Sequence, residues 1–98
     1  MEKKEIFTIT TIRDFLTEPN RCVGFYFEIE KAIEAVLDNH QDIYEMGYYP
    51  YCVIESVKDG IYSLDRIEYW FKWNIDKYGY EKINKPDKFY NHVCFGIG

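Results

Sequence analysis

Residues 28–45 read Glu28-Ile-Glu-Lys-Ala-Ile-Glu-Ala-Val-Leu-Asp-Asn-His-Gln-Asp-Ile-Tyr-Glu45, and this stretch decides the fold class. Ile29, Ala32, Ile33, Val36, Leu37, His40, Ile43 and Tyr44 recur at three- and four-residue steps, the apolar stripe of an amphipathic helix. Gly47 supplies a stop and Pro50 forbids continuation. The spacing therefore predicts one helix over Glu28 to Glu45, with His40 on its apolar face. The same stretch holds six acids (Glu28, Glu30, Glu34, Asp38, Asp42, Glu45) and one base, Lys31, whereas the other 80 residues are neutral in sum. The net charge of -5 thus belongs to this one element.

On either side the period changes to that of strands. Glu5 to Arg13 alternates Phe7, Ile9 and Thr11 against Ile6, Thr8, Thr10 and Ile12, and Arg21 to Phe27 follows beyond a Glu18-Pro19-Asn20 loop. After the helix, Tyr51 to Lys58 and Ile61 to Leu64 flank Asp59-Gly60, a dipeptide suited to a two-residue hairpin turn. That turn would set Val57 opposite Tyr62 and Glu55 opposite Leu64. Ile67 to Asn74 and Tyr78 to Ile83 are two further strands. Lys85-Pro86-Asp87 breaks the chain, Lys88 to Asn91 forms a turn of helix, and His92 to Ile97 is a short closing strand.

The order ββ-α-ββ-ββ defines an α+β fold with a largely antiparallel sheet of about five strands and one principal amphipathic helix on one face. Ninety-eight residues are read as a single domain, 1–98. Such a sheet is ~24 Å wide at ~4.8 Å per strand, while a helix is only ~10 Å across. One helix leaves a sheet face bare, which predicts a homo-oligomer.

Composition removes several functions. No segment approaches the ~20 apolar residues of a membrane span, and Met1 to Glu5 is charged and lacks a signal-peptide core. A soluble, cytoplasmic protein is expected. Cys22, Cys52 and Cys94 are odd in number, widely spaced and set in apolar runs, as reduced thiols are. No basic patch of the kind that holds a nucleic-acid backbone is present. His40-Gln-Asp and His92-Val-Cys lack the His-x-Thr/Ser pattern of two-histidine phosphodiesterases, although the two histidines are the only candidates for a metal-independent nuclease. Gly-x-Ser-x-Gly, Walker and Rossmann signatures are missing, so a non-catalytic protein without metal or cofactor is expected.

Two binding surfaces remain. Nineteen residues are aromatic and 13 of them lie from Tyr48 onward. Rings beside cations clamp nucleobases and phosphates, which makes Arg13, Arg21, Tyr49, Tyr51, Trp70 and Lys72 a candidate nucleotide site. Arg13 ends one strand and Arg21 begins its neighbour, so both guanidiniums would meet a phosphate at one end of the sheet. The second surface is acidic. Glu30, Glu34, Asp38 and Asp42 at four-residue steps stand about 6 Å apart on a helix, near the spacing of backbone phosphates. Such a stripe fits the basic groove of a host protein in the manner of a nucleic-acid mimic, as anti-CRISPR proteins do. A solvated face opposite the core has the same pattern.

Arg21-Cys-Val-Gly-Phe-Tyr-Phe, Tyr49-Pro-Tyr-Cys-Val-Ile-Glu, Trp70-Phe-Lys-Trp-Asn and Phe95-Gly-Ile-Gly together resemble small uncharacterised proteins of gut Firmicutes and their phages. The resemblance covers nearly the whole chain and carries no site. It implies a counter-defence factor that sequesters a nucleotide-type signal or blocks an effector.

Overall fold

The computed structural model describes residues 5–14, 20–60, 67–92 and 95–96. Five strands form one sheet: β1 (Glu5–Ile12), β2 (Arg21–Tyr26), β3 (Tyr51–Lys58), β4 (Glu68–Asn74) and β5 (Gly79–Ile83). The one α-helix among the described residues, α1 (Ile29–Leu37), lies between β2 and β3. The sheet order is β2-β1-β3-β4-β5, and every neighbouring pair is antiparallel. The architecture is the expected α+β fold.

Helix α1 is half as long as its periodicity predicts. Asn39 takes a left-handed conformation (φ 48°, ψ 49°), which asparagine tolerates better than most side chains, and ends the helix there. Its carboxamide then organises the exit: Oδ1 accepts the Tyr44 N–H at 3.0 Å, and Nδ2 donates to Asp42 Oδ1 at 3.3 Å. Two short 3-10 turns follow, His40–Asp42 and Glu45–Gly47. Ile43 and Tyr44 still pack against the core, so the apolar period is satisfied without helix. His40, expected on the apolar face, is exposed, because the break after Asp38 turns it outward.

One sheet face packs on α1. Ile9, Cys52, Ile54 and Phe71 meet Ala32, Ala35 and Val36 there, all of them buried. A β-bulge at Val23, the residue between the partners of Ile9 and Thr10, lets β2 curve round the helix. The other face is not bare. The chain beyond β5 folds back over it, setting Phe89 and Phe95 against Trp70, with Ile12, Tyr51 and Val53 in the same cluster. A 3-10 turn at Asp87–Phe89, beginning just after Pro86, delivers Phe89, which is 1% exposed. The bare-face argument for self-association therefore fails, since the chain supplies its own cover. Among the described residues, Phe25 (52% exposed) and Phe27 (75%) remain uncovered by β2, at a sheet edge.

A buried carboxylate fastens that cover. Glu55 is 0% exposed; its Oε2 accepts the Phe95 N–H and its Oε1 the Gly96 N–H, each at 3.0 Å. Of the expected closing strand His92 to Ile97, the described residues His92, Phe95 and Gly96 are in no strand; Phe95 and Gly96 belong instead to an irregular strap held by a side chain, and the rest of that segment lies outside the described residues. The Asp59-Gly60 hairpin also differs. Glu55 pairs with Glu68, not Leu64, so the connection is four residues longer than a two-residue turn allows. Gly60 does take a positive φ of 110°. The expected strand Ile61 to Leu64 lies outside the described residues, as does Cys94.

Candidate functional site

Arg13 and Arg21 come to the same end of the sheet, as their strand positions require. Arg21 pairs with Thr11, Arg13 follows two residues later, and Tyr51 pairs with Ile12 beside them. Arg13 lies over the Tyr48 ring at 4.9 Å, and Lys72 and Lys88 lie over Tyr51 at 5.8 Å and 4.6 Å. The rest of the expected nucleotide site is only partly accessible: Lys72 is exposed and Tyr49 half-buried, but the other two rings are covered. Trp70 is 2% exposed, covered by Phe89 and Phe95, with its indole N–H donated to Glu68 Oε1 at 2.8 Å. Tyr51 is 7% exposed, and the Tyr49 carbonyl is taken by the Tyr80 hydroxyl at 2.5 Å. Burial of Tyr51 and Trp70 removes two of the three rings of that stacking platform. Arg21 is ion-paired with Glu45, and the cleft beside it is lined by Glu45 and Asp42 as well as Val23 and Ile43. Two carboxylates there oppose an anion.

The acidic stripe is also rearranged. Glu30 and Glu34 lie on α1 and Asp38 caps its C-terminus, so these three keep helical spacing. Asp42 does not extend the row, because the left-handed turns at Asn39 and Gln41 intervene. It remains beside Asp38 nonetheless, on the wall of a second cleft. All four acids are exposed, and none forms an ion pair among the described residues.

That second cleft, about 500 Å³ in volume, has Asp38, Asp42, Tyr44, Met46, Trp73 and Tyr78 among its lining. Tyr44 stacks on Trp73 with ring centres 3.7 Å apart and planes within 6°, and Tyr78 stands edge-on to Trp73. The elements meet here for identifiable reasons. Asn39 holds the 38–44 turn, while Asn74 Oδ1 accepts the Asp76 and Lys77 N–H groups at 2.9 and 3.4 Å and shapes the four-residue β4–β5 turn. Six non-glycine residues have positive φ among the described residues: Asn39, Gln41, Asp42, Glu45, Met46 and Tyr78. Every one lines this cleft or the one beside Arg21. Left-handed backbone costs about 1–2 kcal/mol at a residue with a side chain, and such costs gather where a surface is built for a purpose.

Beneath the clefts the core is electrically quiet. Burial holds the Tyr80 phenol protonated far above its ordinary value, with Cys52, Tyr44 and Asp42 adding to the effect. Burial does the same to the Cys52 thiol. His40 and His92 are both exposed and lie on different segments, the 38–47 turns and the C-terminal strap. Among the described residues no group of three or more His, Cys, Asp or Glu is placed to hold a metal ion, and no helix is long and apolar enough to cross a membrane.

No family model, curated protein or solved structure matches this chain. Its functional reading rests on its own residues. Sequence reasoning missed Asn39, Tyr44, Met46, Trp73 and Tyr78 as site residues. Asp38-Asn39 inside an acidic run was the usable signal, since both residues favour helix ends over helix interiors.

Proposed function

We propose that this is a non-catalytic binding protein that engages a basic surface of a partner protein, as an interaction inhibitor does. One observation carries the reading: on the exposed side of α1, Glu30, Glu34 and Asp38 have no ion-pair partner among the described residues, and they run into a cleft that Asp38 and Asp42 share with aromatic rings. Unpaired carboxylates raise the local negative potential, steer a basic partner and discriminate against anions. Glu28, Glu45, Glu68 and Glu81, by contrast, are each neutralised by a lysine or arginine. The nucleotide-capture reading has weaker support, because two of its three rings, Tyr51 and Trp70, are buried and Arg21 is ion-paired.

One titration separates the two. The protein is mixed with an oligo-lysine or oligo-arginine peptide at two salt concentrations, and separately with mono- and cyclic nucleotides, with melting temperature as readout. Binding to the basic peptides that weakens with salt and with Glu30→Lys/Glu34→Lys supports the proposal. Stabilisation by nucleotides alone, lost in Arg13→Ala, overturns it in favour of signal capture; at 100 times Kd that gain is about 2.7 kcal/mol.

A further inference from the structure

The cleft between the Asn39 turn and the β4–β5 turn has two kinds of wall that rarely serve one ligand. Tyr44, Trp73 and Tyr78 present aromatic surface, while Asp38 and Asp42 present carboxylates. An anion is repelled by the acids. An apolar ligand would strip water from two charges and give nothing back. A small ammonium would be attracted but is strongly hydrated, so it gains little from the rings. A guanidinium satisfies both walls: it is planar, weakly hydrated, lies against aromatic faces and forks two N–H groups to a carboxylate. We infer that this cleft takes an arginine side chain of the basic partner. The inference rests on the function proposed above and specifies its anchor.

The size and rigidity of the cleft fit that occupant. About 500 Å³ lies within the usual range of small-ligand sites, roughly 300–1,000 Å³, and leaves room for a guanidinium with its methylene stem. Asn39 bridges the Tyr44 backbone and the Asp42 carboxylate, so one wall is fixed before anything binds. The stacked Tyr44–Trp73 pair fixes another. Tyr78 and Met46, 82% and 92% exposed, stand at the rim where a stem would enter. Asp38 is the natural fork acceptor, since its carboxylate has no hydrogen-bond or ionic partner among the described residues, whereas Asp42 is held by Asn39. Anchoring by arginine in an aromatic, partly desolvated pocket is also how many protein interfaces concentrate their affinity.

The two tryptophans provide the readout, because each indole N–H gives its own proton resonance and Trp73→Phe assigns them. Blocked Gly-Arg-Gly, Gly-Lys-Gly and Gly-trimethyllysine-Gly peptides are titrated into the intact chain at constant ionic strength. The expected result is a saturable shift of the Trp73 signal by the arginine peptide, at least about tenfold tighter than by lysine, with Trp70 unmoved. Asp38→Asn is expected to weaken it by about tenfold, the lower end of what a hydrogen bond to a charged group contributes. Equal shifts by arginine and lysine, or tighter binding of trimethyllysine, overturn the assignment. If oligo-arginine binds in a manner sensitive to Glu30→Lys while the Trp73 signal stays fixed, the anchor is wrong and the broader proposal stands. If no basic peptide binds, both fall.

Discussion

Replacing Glu55 by glutamine tests the strap at its buried carboxylate anchor. The two oxygens of Glu55 each accept a backbone N–H at 3.0 Å from a fully buried position. Glutamine keeps one oxygen and turns the other into a donor facing an N–H. The change removes one charge-assisted hydrogen bond, about 1.5–3 kcal/mol, and leaves a buried donor unsatisfied at about 1–3 kcal/mol. Relief from burying a charge offsets part of this, leaving a net loss of about 2–4 kcal/mol. At about 4–8 °C per kcal/mol for a chain of this size, the melting temperature falls by at least about 8 °C. Urea denaturation followed by tryptophan emission measures both effects, because loosening the strap wets Trp70 and shifts its emission to the red. Glu81→Gln, at an exposed pair with Lys77, is the control and leaves the denaturation midpoint close to the parental value. A Glu55→Gln protein with parental stability and emission refutes the strap as the cover of this face.

Gly96→Ala perturbs the same seam from the other side: its Cβ would lie 3.0 Å from Thr8 Oγ1 and 3.2 Å from Thr10 Oγ1, which costs about 1–3 kcal/mol in a denaturant midpoint unless the strap shifts freely. Stability falls as pH rises above the ordinary values of 9.0 for Cys52 and 10.0 for Tyr80, because the unfolded chain sheds those protons while the folded chain keeps them. The limiting slope is about 1.4 kcal/mol per pH unit for each group, and Cys52→Ala flattens the onset in a pH-dependent unfolding series; an unchanged onset contradicts it. Self-association through the exposed Phe25 and Phe27 at the β2 edge predicts a concentration-dependent dimer abolished by Phe27→Asp, and sedimentation as a monomer at high micromolar concentration refutes it.

The sheet was legible because its signals are local. β-branched alternation in β1 and the aromatic run of β4 each state a strand without reference to the rest. The helix was legible in position but not in length. Ile43 and Tyr44 continue the period into the core, and only the conformational tolerance of Asn39 reveals that the backbone has changed course. The strap was invisible for a different reason. Phe89 and Phe95 find Trp70 across the sheet, and Glu55 finds its two donors 40 and 41 residues away, by contacts that no short-range pattern encodes. The candidate site combines both cases: its acids were visible as a charge run, but its rings come from two segments that only the fold brings together, the turns after α1 and the β4–β5 hairpin. Arg13 and Arg21 could be set at one sheet end from strand pairing alone, while burial of Trp70 depended on the strap.

The place of β1 in the sheet has a kinetic consequence. It is first in the chain yet sits between β2 and β3, so Thr8 meets Glu55 across 47 residues. The β1–β2 and β4–β5 hairpins close short loops and form early, but neither buries a core. Joining them requires β3 to find the open edge of β1, a long loop closure that costs entropy before any contact offsets it. Folding should therefore run on the millisecond-to-second scale of non-local β topologies. Until β3 docks, β1 offers a row of unpaired peptide groups flanked by Ile6, Phe7, Ile9 and Ile12, so crowding at that stage favours mispairing between chains over completion of the sheet.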